Sequence, residues 1–231
     1  TKTPIMNMGQ IRWYDKLNKN QTYAVALDPA IGTGGDFAAI QVFELPAYKQ
    51  VAEWRHNTTG IPKQIQILKD ICTYIKEETN TNNLYWSVEN NGVGEAALIV
   101  IADLGEENIP GYFVSEPIRK GHVRKFRKGF NTTHGTKITA CTRLKTMLEN
   151  GKMRIASSAL LSELKGYVAS GHSFKAKPGE TDDLISSVLL IIRMMGVLRE
   201  WDPRVYDTFT TIENDEDYEA PMPIFVTRSY G

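Results

Sequence analysis

Tyr23-Ala24-Val25-Ala26-Leu27-Asp28-Pro29 is an unbroken apolar run that stops on a carboxylate. An apolar stretch without polar alternation predicts a strand buried on both faces. The loop Pro29 to Gly35 follows, with glycines at 32, 34 and 35, and then come two more strands, Phe37 to Leu45 and Gln50 to Arg55. Together the three predict an antiparallel meander. After Pro62, the apolar positions Ile61, Ile65, Leu68, Ile71, Cys72 and Ile75 keep helical spacing, so 61–78 is expected to be an amphipathic helix. Leu84 to Val88 is a fourth strand ending at Glu89, 94–103 a helix, and Gly111 to Ser115 a fifth strand. Three strands, a helix, a strand, a helix and a strand imply an α/β fold with a mixed sheet and helices on its faces. Ligands in such folds sit beyond the carboxyl ends of strands, where Asp28 and Glu89 both fall.

Further along, the pattern predicts a basic loop (119–128), a helix (136–149), a short strand (153–156) and helices at 158–169 and 181–200. Residues 1–21 are expected to be an N-terminal arm or linker, 22–201 the folded domain, and 202–231 an extension carrying the acidic run Glu213 to Glu219. The chain has 231 residues, 42% of them hydrophobic, with 27 Lys+Arg against 27 Asp+Glu, so any attraction to nucleic acid must be local. The longest apolar run, Leu184 to Val197, is interrupted by Ser186, Ser187 and Arg193 and is too short and polar to span a membrane. Cys72 and Cys141 show no metal-ligand spacing, as expected of a reduced, intracellular protein.

Asp28, Glu89 and Asp183 carry acids where ordinary core residues would be expected. Burying charge is costly without compensation, and converging acids raise one another's pKa. A hard divalent cation relieves both penalties through carboxylate oxygens. Asp182 and Asp183 open the last helix about 100° apart. Asp183 shares its stripe with Leu190 and Met194, whereas Asp182 shares one with Ser186 and Arg193, so Asp183 is the better ligand candidate. The plainer readings are a turn aspartate before Pro29, a strand-end glutamate bonded to the Asn90-Asn91-Gly92 turn, and helix-opening acids favoured by the macrodipole.

The glycine loop lacks the Gly-Lys-Ser/Thr of a P-loop and leads into a strand, so it predicts a hairpin. Asp36 could return across that hairpin towards Asp28. The basic segment holds Arg119, Lys120, Arg124, Lys125, Arg127 and Lys128 within ten residues. Acids able to hold metal beside a basic segment suit a phosphodiester substrate, the cations gripping backbone phosphates. A solvated charged loop is the plainer alternative.

Leu27-Asp28-Pro29-Ala30 with Gly34-Gly35-Asp36, Val88-Glu89-Asn90-Asn91-Gly92-Val93-Gly94, and Thr181-Asp182-Asp183-Leu184-Ile185 resemble, in order, the C-terminal nuclease domain of terminase large subunits, particularly of T4-like tailed phages. The likeness spans roughly residues 22–200. It implies an RNase H-like (resolvase/integrase-type) fold and catalytic acids Asp28, Glu89 and Asp183, with Asp36 and Asp182 in support. It also implies one or two Mg²⁺ or Mn²⁺ ions and metal-dependent cutting of double-stranded DNA, concatemeric phage genome, at the start and end of packaging. Lys137, opening a helix, joins the DNA-contacting residues on the same ground. The implied partners are the phage portal, the small terminase subunit and an ATPase motor domain, whose Walker loop this chain lacks, with no membrane; the implied setting is the host cell cytoplasm. A junction resolvase or transposase, favouring branched DNA, and a non-catalytic DNA or portal docking module without metal at the acids are the rival readings.

The stripe argument makes Asp183→Asn far more damaging to metal-dependent DNA cleavage than Asp182→Asn, which should cost about tenfold, or about 1.4 kcal/mol in the barrier. Cleavage rates at saturating metal compare them; greater damage at Asp182 contradicts the assignment.

Overall fold

The computed structural model describes residues 1–120, 123–170, 173–176 and 181–201, with the side chains of 118–126 and 168–176 left aside. Two short strands, β1 (Met6–Met8) and β2 (Ile11–Trp13), precede the meander of β3 (Thr22–Asp28), β4 (Ala38–Leu45) and β5 (Lys49–His56). Helix α1 (Ile61–Thr79), strand β6 (Leu84–Val88), helix α2 (Val93–Leu104) and strand β7 (Tyr112–Phe113) follow. The sheet runs β1-β2-β5-β4-β3-β6-β7. Its β3–β6 and β6–β7 pairs are parallel and the rest antiparallel.

Residues 1–21 are therefore not a detached arm. β2 pairs with β5 through Arg12↔Glu53 and Trp13↔Ala52, and Trp13 and Tyr14 are buried. Three-residue strands carry too little periodicity to announce themselves; their partner lies some forty residues away.

Side chains alternate across each strand, and two cores result. Tyr23, Val25 and Leu27 of β3 and Trp86 and Val88 of β6 pack with Ile65, Leu68 and Ile71 of α1. Ala24 and Ala26 of β3 and Tyr85 of β6 face the other way. They meet α3 (His134–Glu149), α4 (Ser158–Gly166) and α5 (Asp183–Trp201). Helix α5 supplies Leu184, Ile185, Val188, Ile191 and Met195 to that core. The alanines leave room for this helix to lie close against the central strand.

Three local expectations change. The basic segment is a hairpin rather than a loop: β8 (Glu116–Lys120) pairs antiparallel with β9 (Val123–Arg127). The strand expected at 153–156 reduces to one bridge, Lys49↔Arg154. The helix at 158–169 ends at Gly166, a poor helix residue, and a second hairpin follows, β10 (Tyr167–Ser170) with β11 (Ser173–Ala176). The acidic run 213–219 lies outside the described residues.

Ala26 is fully buried on the α5 face. Ala26→Leu overfills that contact and should cost about 1–3 kcal/mol, read as a lower urea midpoint; an unchanged midpoint contradicts the close seating of α5 on β3.

Candidate active site

The β3–β6 register aligns Leu27 with Val88, and the Glu89 amide donates to the Leu27 carbonyl at 2.9 Å. Asp28, the last residue of β3, and Glu89, the first beyond β6, thus come next to each other in that register. By alternation both belong to the α5 face, as Ala26 and Tyr85 do. Their carboxyl groups stand close enough for Glu89 to raise the Asp28 carboxyl. Burial first, then Glu89, then the charges of Asp183 and Asp182, push the Asp28 carboxyl well above the usual range. Asp183, the first residue of α5, is pushed up to about 6 by burial and by Asp182; Arg55 opposes the rise and Asp36 adds to it. The fold therefore brings Asp28, Glu89, Asp182, Asp183 and Asp36 into one electrostatic neighbourhood. Asp36 is exposed, and Asp182 lies 3.4 Å from Lys137. Among the described residues, no three acidic, histidine or cysteine side chains stand in the ligating geometry of one ion.

Glu163 of α4, which sequence reasoning passed over, holds the start of α5. One carboxylate oxygen accepts from the amides of Leu184 at 3.0 Å and Ile185 at 3.2 Å. The other accepts from Thr181 Oγ1 at 3.0 Å and Arg55 Nη1 at 2.7 Å. Burial pushes this acid up to about 7 despite those bonds. Its sequence signal was only a glutamate in a short helix; its partners are 18 to 22 and 108 positions away.

Around Glu89 the chain is tightly stapled. Asn91 Nδ2 donates to Glu89 Oε1 at 3.2 Å, the turn bond anticipated as the plainer reading. Gly94 at the start of α2 lies so close that a Cβ would stand 2.0 Å from the Glu89 carbonyl oxygen. Glu89 bridges Phe130, and the Asn90 side chain donates to the Lys128 carbonyl at 3.0 Å. Arg193 of α5 reaches Glu116 at 2.7 Å, Thr132 at 3.0 Å and the Asn131 carbonyl at 3.0 Å. The base of the basic hairpin is thereby fixed beside Glu89. Arg127 and Lys128 are exposed; Lys128 pairs with Glu106 and lies over the Phe113 ring. The side chains of Arg119, Lys120, Arg124 and Lys125 lie outside the described residues. Beside Glu89 a cavity of about 280 Å³ is lined by Asn91, Thr132, His134, Lys137 and Arg193. A larger cleft of about 470 Å³, between α1 and the β1–β2 turn, belongs to the opposite side of the sheet and takes no part in the acid cluster.

A mixed sheet with helices on both faces is the architecture of the RNase H-like nuclease domains that the chain resembles. The chain matches the Terminase RNaseH-like domain family over residues 25–194, and belongs to that family. Among solved structures, it resembles the large terminase nuclease from thermophilic phage G20c with bound magnesium at a TM-score of 0.61 and 16% identity, over 83% of this chain and 91% of that one. The large terminase nuclease domain of a Thermus phage gives 0.56 and 15%, over 82% and 87%. The human cytomegalovirus terminase nuclease domain, manganese-soaked, gives 0.56 and 15%, over 84% and 89%.

The shifts dictate a pH dependence. Asp183 and Glu163 hold protons in the folded chain that the unfolded chain releases near 3.8 and 4.5. Their contribution is complete below those values and is lost as pH rises through about 6 and about 7. Without metal, Asp183→Asn should therefore melt above the wild type at pH 7.5, with the gap closing towards pH 4.5. A variant that melts lower at pH 7.5 contradicts the crowding of these acids.

Proposed function

We propose that the domain is a divalent-metal-dependent endonuclease that cuts double-stranded DNA during phage genome packaging. The observation that carries this reading is the junction of Asp28, Glu89 and Asp183 at the end of β3, in a chain of the terminase nuclease family. The donors are all carboxylate oxygens, which suits Mg²⁺ or Mn²⁺. Related nuclease domains with bound magnesium or soaked with manganese support a divalent ion without selecting which. Asp28, Glu89 and Asp183 would hold one or two ions, with Asp36 and Asp182 in support. The bound metal supplies an activated water and charge stabilisation for the leaving oxygen. Ligation of one ion by all three acids requires their side chains to draw together.

The chain's own residues do the rest. Lys137, half-exposed beside Asp182, places a positive charge where a phosphate oxygen would approach the acids. Arg119, Lys120, Arg124, Lys125, Arg127 and Lys128 hold the duplex through its phosphates, without base identity. Asn91 and Gly94 keep Glu89 aimed at Asp28. Family membership supports the portal, the small terminase subunit and an ATPase motor domain as partners, and the host cytoplasm as the setting.

Incubated with plasmid, the wild type should cut in Mg²⁺ or Mn²⁺ and not in EDTA. Asp28→Asn, Glu89→Gln and Asp183→Asn should each lose at least a hundredfold in rate, on the order of 3 kcal/mol in the barrier, with unchanged circular dichroism. An Asp28→Asn protein that retains metal-dependent cutting sinks the assignment.

A further inference from the structure

Strand β5 presents Glu53 and Arg55 two residues apart, hence on one face. Each binds one end of α4. Buried Glu53 accepts from Ser157 Oγ at 2.9 Å, and Ser157 caps α4 by accepting from the Leu160 amide at 3.1 Å. Gln50, also on β5, accepts from the amides of Ala156 and Ser157 at 2.8 Å each. One and a half turns into α4, Arg55 pairs with Glu163 at 2.7 Å, while its guanidinium lies over Phe37, the neighbour of Asp36, 4.6 Å from the ring centre. The α4 helix is thus fixed to the sheet at two points, and Glu163 transmits that fixation to the first turn of α5. The division of labour between its two oxygens is clean: one faces Arg55 and Thr181, the other takes both α5 amides.

We propose that Glu163, held by Arg55, is a positioning residue for the acid cluster: it sets where Asp183 stands relative to Asp28 by gripping the α5 backbone, and is not itself a metal ligand. This rests on the metal-site reading above. A buried acid engaged at both oxygens has no oxygen free for an ion, and the two amides it holds directly follow Asp183. Placement, rather than charge, is what it contributes.

Two substitutions separate placement from charge. Glu163→Asp keeps the charge and shortens the reach by one methylene, about 1.5 Å. Glu163→Gln keeps the reach, and its amide oxygen can still accept from both α5 amides, but the charge and the oxygen that accepts from Arg55 and Thr181 are gone. The readout is the Mn²⁺ dissociation constant of the purified chain by calorimetry without DNA, with plasmid cleavage as a second measure. We expect Glu163→Asp to weaken Mn²⁺ binding tenfold or more and Glu163→Gln threefold or less. A loss in Glu163→Gln that equals or exceeds that in Glu163→Asp marks a charge effect and overturns the proposal, as does an unchanged constant in Glu163→Asp. Should Glu163→Asp not fold, Glu163→Gln decides alone: a loss within threefold supports placement and a larger one overturns it. A wild type that binds no Mn²⁺ overturns the metal-site reading itself, a result visible before any change at Glu163.

Discussion

Mutual repulsion among half-buried carboxylates is the constraint on which the rest of this molecule depends. Asp28, Glu89, Asp182 and Asp183 would move apart if the backbone allowed it, because each raises the cost of ionising its neighbour. They stay together because they sit on elements that other forces hold. Asp28 and Glu89 end adjacent parallel strands locked in register, and Asp183 opens a helix pressed on those strands by an apolar core. The crowding shows in a raised affinity of the Asp28 and Asp183 carboxyl groups for protons rather than in their separation.

That arrangement explains several otherwise unrelated choices of residue. Alanines at 24 and 26 bring α5 close to β3. Gly94 gives α2 its start directly over the Glu89 carbonyl. Glu163 and Arg55 fasten the start of α5 to β5 across the α4 helix. Arg193, from the same α5 helix, fastens the base of the basic hairpin. One helix thereby couples the acid-bearing start of α5 to the base of the cationic segment.

Much of this was legible in the chain. The run from Tyr23 to Leu27, which no polar residue interrupts, and the run from Leu84 to Val88, broken only by Ser87, announce buried strands, and the carboxylate at the end of each is conspicuous against them. The helical stripes of α1 and α5 follow from periodicity alone. What escaped depends on partners distant in sequence. β1 and β2 are strands only because β5 offers an edge; Glu163 matters only because Arg55, Thr181 and the α5 amides surround it. The basic segment announced its charge and not its shape, since Val123-Arg124-Lys125-Phe126-Arg127 does not alternate apolar with polar residues as a half-buried strand would.

Proton release on metal binding would reach the crowded acids most directly, because a bound ion would compete with protons for the same carboxyl oxygens. Calorimetric titration of Mn²⁺ into the wild-type chain at pH 6, in two buffers of different ionisation enthalpy, gives the number of protons freed per ion. The close pairing of Asp28 with Glu89 and the raised Asp183 call for about one proton or more released per ion. Tight binding with the same heat in both buffers, and so with no proton released, would mean that the acids already stand ionised and apart, contrary to the site described.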